Sequence, residues 1–92
     1  MEDEFIFVGD KPFMNYVTGV VMQFTTKEAP KVVIKARGRF IGKAVDVAEV
    51  AKNRFLAGQV DVREVRIGSE EFTSLDGKTL RASKIEVELF RL

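Results

Sequence analysis

The feature that most restricts how this chain can fold is a junction. Val32-Val33-Ile34, three β-branched residues in a row, runs into Lys35-Ala36-Arg37-Gly38-Arg39, and an amphipathic segment from Ile41 to Leu56 follows at once. A short β-branched run reads as a central strand buried on both sides. Gly38 breaks it, and the recurrence of apolar residues after Phe40 reads as a helix. Ile41, Ala44, Val45, Ala48 and Phe55 fall on one helical face, with Val47, Val50 and Ala51 beside it. At about 100° per residue this apolar arc covers roughly 220°, about twice the stripe that packing on one sheet requires. The excess needs a cover. In a domain this small the simplest cover is a second copy of the chain, so a two-fold homodimer is expected.

The remaining elements arrange themselves around that junction. Glu4-Phe5-Ile6-Phe7-Val8 reads as a buried first strand, closed by Gly9-Asp10. Pro12 fits a first helical turn with Asp10 or Lys11 as the cap, and Phe13, Val17, Val20 and Phe24 recur at helical spacing. Gly19 inside that helix points to a close backbone contact. Val60 to Thr73 and Leu80 to Phe90 read as a third and fourth strand around an Asp76-Gly77 turn. In the third strand the apolar phase shifts from Val60 and Val62 to Val65 and Ile67, which predicts a bulge near Arg63–Val65 or a change of buried face. Ten to twelve residues of strand reach roughly 35–40 Å, whereas a 15-residue helix covers only about 22 Å. The hairpin should therefore project as an arm. The expected fold class is α+β: a β-α-β-α-β-β order, a four-stranded mixed sheet and both helices on one face, with a right-handed crossover between parallel first and second strands. The whole chain, 1–92, reads as one domain.

Composition narrows the chemistry. The 92 residues contain no histidine and no cysteine, which removes the usual general base, the usual zinc ligands, Ser-His triads, disulfides and thiolate chemistry. No cofactor and no metal are expected. No apolar run approaches the roughly 20 residues that span a bilayer, and the start, Met1-Glu2-Asp3-Glu4, is the opposite of a signal peptide's basic opening. An intracellular, cytoplasmic location and no membrane partner are expected. The net charge of +1 conceals a basic centre: residues 11–59 carry nine Lys/Arg against Glu28, Asp46 and Glu49. That block, unlike the chain as a whole, fits a polyanionic partner.

Four places could carry function. At the junction, Arg37 and Arg39 flank Gly38, Lys35 precedes them and Lys43 lies one turn into the helix. Helix N–H groups, a glycine that admits close approach and guanidinium forks suit a phosphate, although a solvated basic loop would use the same residues. Gly9-Asp10-Lys11-Pro12 is a second strand-to-helix junction. If the first two strands are neighbours, Lys11 joins Arg37, Arg39 and Lys43 in one patch. The hairpin tip carries Lys78 and Arg81, with Lys84 nearby. These suit a β-arm entering a DNA groove or serve only to keep an exposed edge soluble. The helix end, Asn53-Arg54-Phe55-Leu56, is either core or a contact between protomers or dimers.

Several of these residues also carry a family resemblance. Lys-Pro-x-Met-Asn-Tyr-Val at 11–17, Ile-Lys-Ala-Arg-Gly-Arg at 34–39, Lys-Ala-Val-Asp at 43–46, Arg-Phe-Leu at 54–56, Gly-Ser at 68–69 and Asp-Gly at 76–77 resemble Alba, a family of small archaeal chromatin proteins. The resemblance spans essentially the whole chain. It implies a fold like the C-terminal domain of translation initiation factor three, a homodimer, a chromosome-associated location and sequence-independent binding of double-stranded DNA, often also of RNA. It places Lys11, Arg37, Arg39 and Lys43 at the body contacts and Lys78 and Arg81 on an arm along the minor groove. It also places Arg54 and Phe55 where dimers pair side by side, so Val47, Val50, Ala51, Arg54 and Phe55 are the expected interface residues. The family often has two lysines before the proline, the first an acetylation site. Here the first is Asp10, which counts against regulation by acetylation, leaves Lys11 as the target to consider and should weaken DNA affinity. Two other readings stand beside a DNA-coating protein: an RNA chaperone or ribonucleoprotein subunit of the same fold, and a small metal-dependent hydrolase using Asp46 and Glu49.

Overall fold

Backbone pairing builds a single mixed sheet in the order β1-β2-β4-β3. The structure is a computed structural model that describes residues 4–92; the acidic start at Glu2 and Asp3 lies outside the described residues. Strand β1 (Glu4–Phe7) leads to helix α1 (Phe13–Thr25), then β2 (Lys31–Arg37), a 3-10 turn (Gly38–Phe40), helix α2 (Ile41–Val50), a π turn (Ala51–Phe55), β3 (Val60–Thr73) and β4 (Thr79–Arg91). β1 runs parallel to β2, and β4 runs antiparallel to both β2 and β3. The expected α+β class, element order and mixed sheet are therefore found.

Strand alternation explains which side holds the core. Val32, Ile34 and Ala36 of β2 and Ile85, Val87 and Leu89 of β4 point to one face and join Tyr16, Val17, Val20, Phe24, Ala44, Val47, Ala48 and Ala51 from the helices in one buried cluster. The opposite face carries Lys31, Val33, Lys35 and Arg37 of β2 against Phe90, Glu88, Glu86 and Lys84 of β4 in register. Val33 is buried on that open face, so β2 is a central strand covered on both sides, as its unbroken apolar run requires.

β1 departs from expectation. It is an edge strand rather than a buried one: its burial alternates, and Phe5 and Phe7 stay 46% and 70% exposed on the open face. The helix-1 start differs too. Pro12 occupies the cap position with extended backbone and no side-chain cap bond, so neither Asp10 nor Lys11 caps the helix. At Gly19 a Cβ would meet only the Ile6 Cδ1, at an ordinary 3.6 Å, so no close backbone approach is found there.

In the second helix the buried stripe is rotated from the expected one. Ala44, Val47, Ala48 and Ala51 are buried, whereas Val45 is 40% and Phe55 49% exposed. The π turn explains Phe55. Its Leu56 N–H bonds the Ala51 carbonyl at 3.0 Å, five residues back. A π turn winds less per residue than an α turn, so a wheel drawn at 100° places Phe55 inward of its true position, and Leu56 takes the core place instead. Val47 and Ala51 have no exposed surface, which corrects the expectation that they face a second chain. Val50, Arg54 and Phe55 retain accessible surface.

The bulge occurs where the phase slip pointed: the β3–β4 register jumps between Val62 and Glu64, leaving Arg63 as the extra residue. Beyond it β3 and β4 continue as a two-stranded arm, and the molecule reaches 47 Å in its longest dimension against 26 and 18 Å in the others. Gly77, at φ 85, makes the left-handed turn that an Asp-Gly hairpin needs. Asp76 accepts from the Ser74 hydroxyl and from the Lys78 N–H, and these bonds hold its carboxyl below the usual range.

On the helix side, β3 is poorly covered. Val45, Ala48, Val62, Val65, Ile85 and Val87 line an apolar hollow of about 290 Å³ with Glu49 at its rim. Val65 and Ile67 are 51% and 83% exposed beside it.

Candidate nucleic-acid interface

The two strand-to-helix junctions meet because β1 and β2 are parallel neighbours with the same polarity. Val8 continues the pairing by donating its N–H to the Lys35 carbonyl at 2.8 Å, and the chain then turns through Gly9 and Asp10 toward α1. Lys43 ties this loop to α2. Its ammonium donates to the Gly9 carbonyl and to the Lys11 carbonyl, each at 2.6 Å. It also lies 5.1 Å from the Tyr16 ring and 5.9 Å from the Phe40 ring. The Lys11 N–H in turn donates to the Tyr16 hydroxyl at 3.1 Å. Lys43 is thus a tie that sets the distance between junctions. Two of its three donors are used on backbone, which leaves one for an anion.

Arg39 stacks over Phe40, with its guanidinium carbon 4.5 Å from the ring centroid. Phe40 therefore has Arg39 and Lys43 on its ring, and Lys11 lies next to Lys43 through its carbonyl. These contacts bring the Lys11 backbone, the Lys43 ammonium and the Arg39 guanidinium together where the two junctions meet, whereas Arg37, expected in the same patch, faces the open side of the sheet. Gly38 takes φ +55 with open space around the missing Cβ, so the chain turns between Arg37 and Arg39 without blocking access to the backbone. The 3-10 turn that follows has no side-chain cap bond at its start.

Lys35 and Arg37 sit differently. They face the open side of the sheet and line, with Arg39, Phe7, Phe72 and Lys84, a groove of about 690 Å³ between β1 and the root of the arm. Here the cations are partnered. Lys35 lies 3.4 Å from Glu86, Arg37 is 3.1 Å from Glu70 and Lys84 is 3.7 Å from Glu70. Glu86 also accepts from Arg66 at 2.9 Å. That bond first, then Lys35, holds the Glu86 carboxyl below its ordinary value of 4.5. Farther along the face, Arg63 and Lys31 reach the buried Glu88 at 3.8 and 3.6 Å. This ladder of alternating charge neutralises much of the open face, and Arg39 and Lys11 lie beyond its end.

The arm residues stand apart from the junction. Arg81 pairs with Glu71 at 2.7 Å across the hairpin, and Lys78 is exposed at the turn. Sequence reasoning missed Glu70, which holds both Arg37 and Lys84, and missed the exposed rings Phe7 and Phe72. The alternation of Phe5 and Phe7 with Ile6 and Val8 was the available signal for the rings. Nothing local marks Glu70, because its partners are 33 and 14 residues away. Asp46 and Glu49 are exposed on α2, and Glu49 accepts from Asn53 at 2.6 Å. Among the described residues no group of three or more acidic, His or Cys side chains is placed to hold a metal ion.

Comparison with known proteins gives a consistent picture. The family model named Alba matches residues 4–69. The DNA/RNA-binding protein Alba of Nitrosopumilus maritimus is 44% identical over 86 residues, covering 94% of this chain and 88% of that protein. The protein of the same name from Methanocella arvoryzae is 49% identical over 90 residues, covering 98% and 92%. Among solved structures, Alba from Thermoplasma volcanium superposes with a TM-score of 0.87 at 44% identity, covering 96% of this chain and all of that one.

Proposed function

The chain belongs to the Alba family, and from that membership and the geometry of the paired junctions we propose that it binds nucleic acid without reading sequence, coating and compacting double-stranded DNA on the chromosome as a homodimer. It is a binding protein and not an enzyme; its relatives are named for DNA and RNA binding. The observation that carries the reading is the meeting of the two junctions, where Lys43 binds the Lys11 carbonyl and shares the Phe40 ring with Arg39, with Arg37 beside them across Gly38. Cations held on a rigid frame with an open backbone between them suit phosphates and offer little that discriminates bases.

The uncovered apolar hollow beside β3 supports the dimer. A second copy seated there would bury Val45, Val62 and Val65 and place two junctions on one assembly, doubling the phosphate contacts. Lys78 and Arg81 then extend on two arms as secondary contacts, and Arg54 with Phe55 serves contacts between dimers. Structured RNA is the second reading, since the same grips serve either backbone and the relatives carry both nucleic acids in their names. Competition of a labelled DNA duplex against unlabelled duplex DNA and structured RNA at one salt concentration decides between them. The Arg37→Ala/Arg39→Ala double variant should lose at least tenfold in duplex affinity. Unchanged affinity would contradict the assignment of the junction.

A further inference from the structure

The open-face groove holds two features that a grip on a duplex backbone does not use. Phe7 ends β1 with its ring 70% exposed, and Phe72 on β3 is 43% exposed. Both rings border the groove that Arg37, Arg39, Lys35 and Lys84 line. Exposed rings of this size on an edge strand and an arm are a liability for solubility, and both keep accessible surface. Each ring is nevertheless positioned by a cation. The Lys35 ammonium lies 4.3 Å from the Phe5 centroid and 5.5 Å from that of Phe7, and the Arg37 guanidinium lies 5.9 Å from Phe72. Such contacts hold a ring in place without covering it fully.

A duplex keeps its bases stacked inside and cannot use these rings. A single strand presents base faces, and aromatic platforms beside a cationic track are how single-stranded nucleic acid is held without sequence preference. The groove has the size of pockets that take small organic ligands. Its charge is favourable but not extreme: four cations, Lys35, Arg37, Arg39 and Lys84, face two carboxylates, Glu70 and Glu86. Stacking therefore has to supply part of the affinity. We propose that this groove binds a short stretch of unpaired nucleotides, with bases on Phe7 and Phe72 and phosphates on Arg37 and Arg39. The proposal rests on the junction reading for its phosphate contacts and adds a separate, ring-dependent mode.

Fluorescence anisotropy with a labelled 20-nucleotide oligo(dT) and a labelled mixed-sequence 20-base-pair duplex tests it. Phe7→Leu, whose folding is checked by its melting curve, should weaken oligo(dT) binding by about fivefold or more, the lower end of what one base stack contributes, while duplex affinity stays within twofold. The chain has no tryptophan, so Phe7→Trp supplies a single indole, and its fluorescence should be quenched by oligo(dT) and not by the duplex. The proposal is overturned if the wild-type protein does not bind oligo(dT), if Phe7→Leu changes both affinities equally or neither, or if the Phe7→Trp indole is not quenched. If Arg37→Ala/Arg39→Ala leaves duplex affinity intact, the junction reading fails instead, and the phosphate half of this proposal fails with it.

Discussion

The Arg37 guanidinium lies 3.1 Å from the Glu70 carboxylate, linking the end of β2 to the root of the arm. Glu70 also reaches Lys84, which sits opposite Arg37 in the β2–β4 register. Two cations at the edge of the proposed phosphate-binding surface thus share one anion. A phosphate that engages Arg37 competes with the charge of this carboxylate. Replacing Glu70 by glutamine should relieve Arg37 of that competition and free Lys84, tighten duplex binding several-fold and steepen the dependence of log affinity on log salt by up to about 2, from one added Lys84 contact in each protomer of the proposed dimer at roughly 0.9 per contact. The side chains are half-exposed, so the lost ion pair should cost only about 0–1 kcal/mol of stability. Salt-series anisotropy on wild type and Glu70→Gln, with denaturation curves for both, checks the two halves of this expectation.

Lys43 predicts a different balance. Its two bonds to the Gly9 and Lys11 carbonyls hold the two junctions together. Lys43→Met keeps the apolar stem and removes the ammonium. Two carbonyls then lose a charged donor in a partly buried place, and stability should fall by about 1–3 kcal/mol. Arg39→Ala, by contrast, should leave stability within about 0.5 kcal/mol and reduce affinity. Urea denaturation of the two variants separates the structural cation from the binding one.

The open-face ladder makes stability depend on pH. Glu86, held by Arg66 and then Lys35, has its carboxyl below the ordinary value of 4.5 in the folded protein. A carboxylate with a lower value folded than unfolded stabilises the fold above the unfolded value, and that contribution disappears as pH falls through the folded one. Glu86→Gln should therefore be less stable than wild type at pH 7, with the gap narrowing below about pH 4.5. Denaturation midpoints at pH 7 and pH 3.5 give the comparison.

The exposed hollow beside β3 predicts the assembly. Val65 is 51% exposed and lines it. Val65→Asp would bury a charge in an apolar contact and should convert a dimer to a folded monomer. Sedimentation of wild type and variant at the same concentration reads this directly. A wild-type monomer at tens of micromolar would contradict the proposed dimer.

Much of this architecture was legible in the chain. The Val32–Ile34 run, the Asp76-Gly77 turn and the phase slip at Arg63 each follow from local chemistry, and each lies where local rules placed it. The joining of the Lys11 and Arg39 junctions was legible too, because parallel pairing of β1 and β2 puts both at one sheet end. What local rules could not reach was set by tertiary context. β1 is an edge strand only because β4 adds to the free side of β2 and not to that of β1. Phe55 points outward only because the helix widens into a π turn at Ala51. The neutralising partners Glu70 and Glu86 come from strands distant in sequence, so a basic cluster that looks free along the chain is half paired in space.

The proposed binding is driven by backbone charge, not by base sequence. Its most direct test is a salt titration of the affinity for two unrelated duplexes of equal length. With Lys11, Arg37 and Arg39 from each of two protomers engaging about six phosphates, log affinity should fall with log salt at a slope of about −5, the same for both duplexes. A slope near zero, or affinities that differ by orders of magnitude between the two sequences at one salt concentration, would contradict the account.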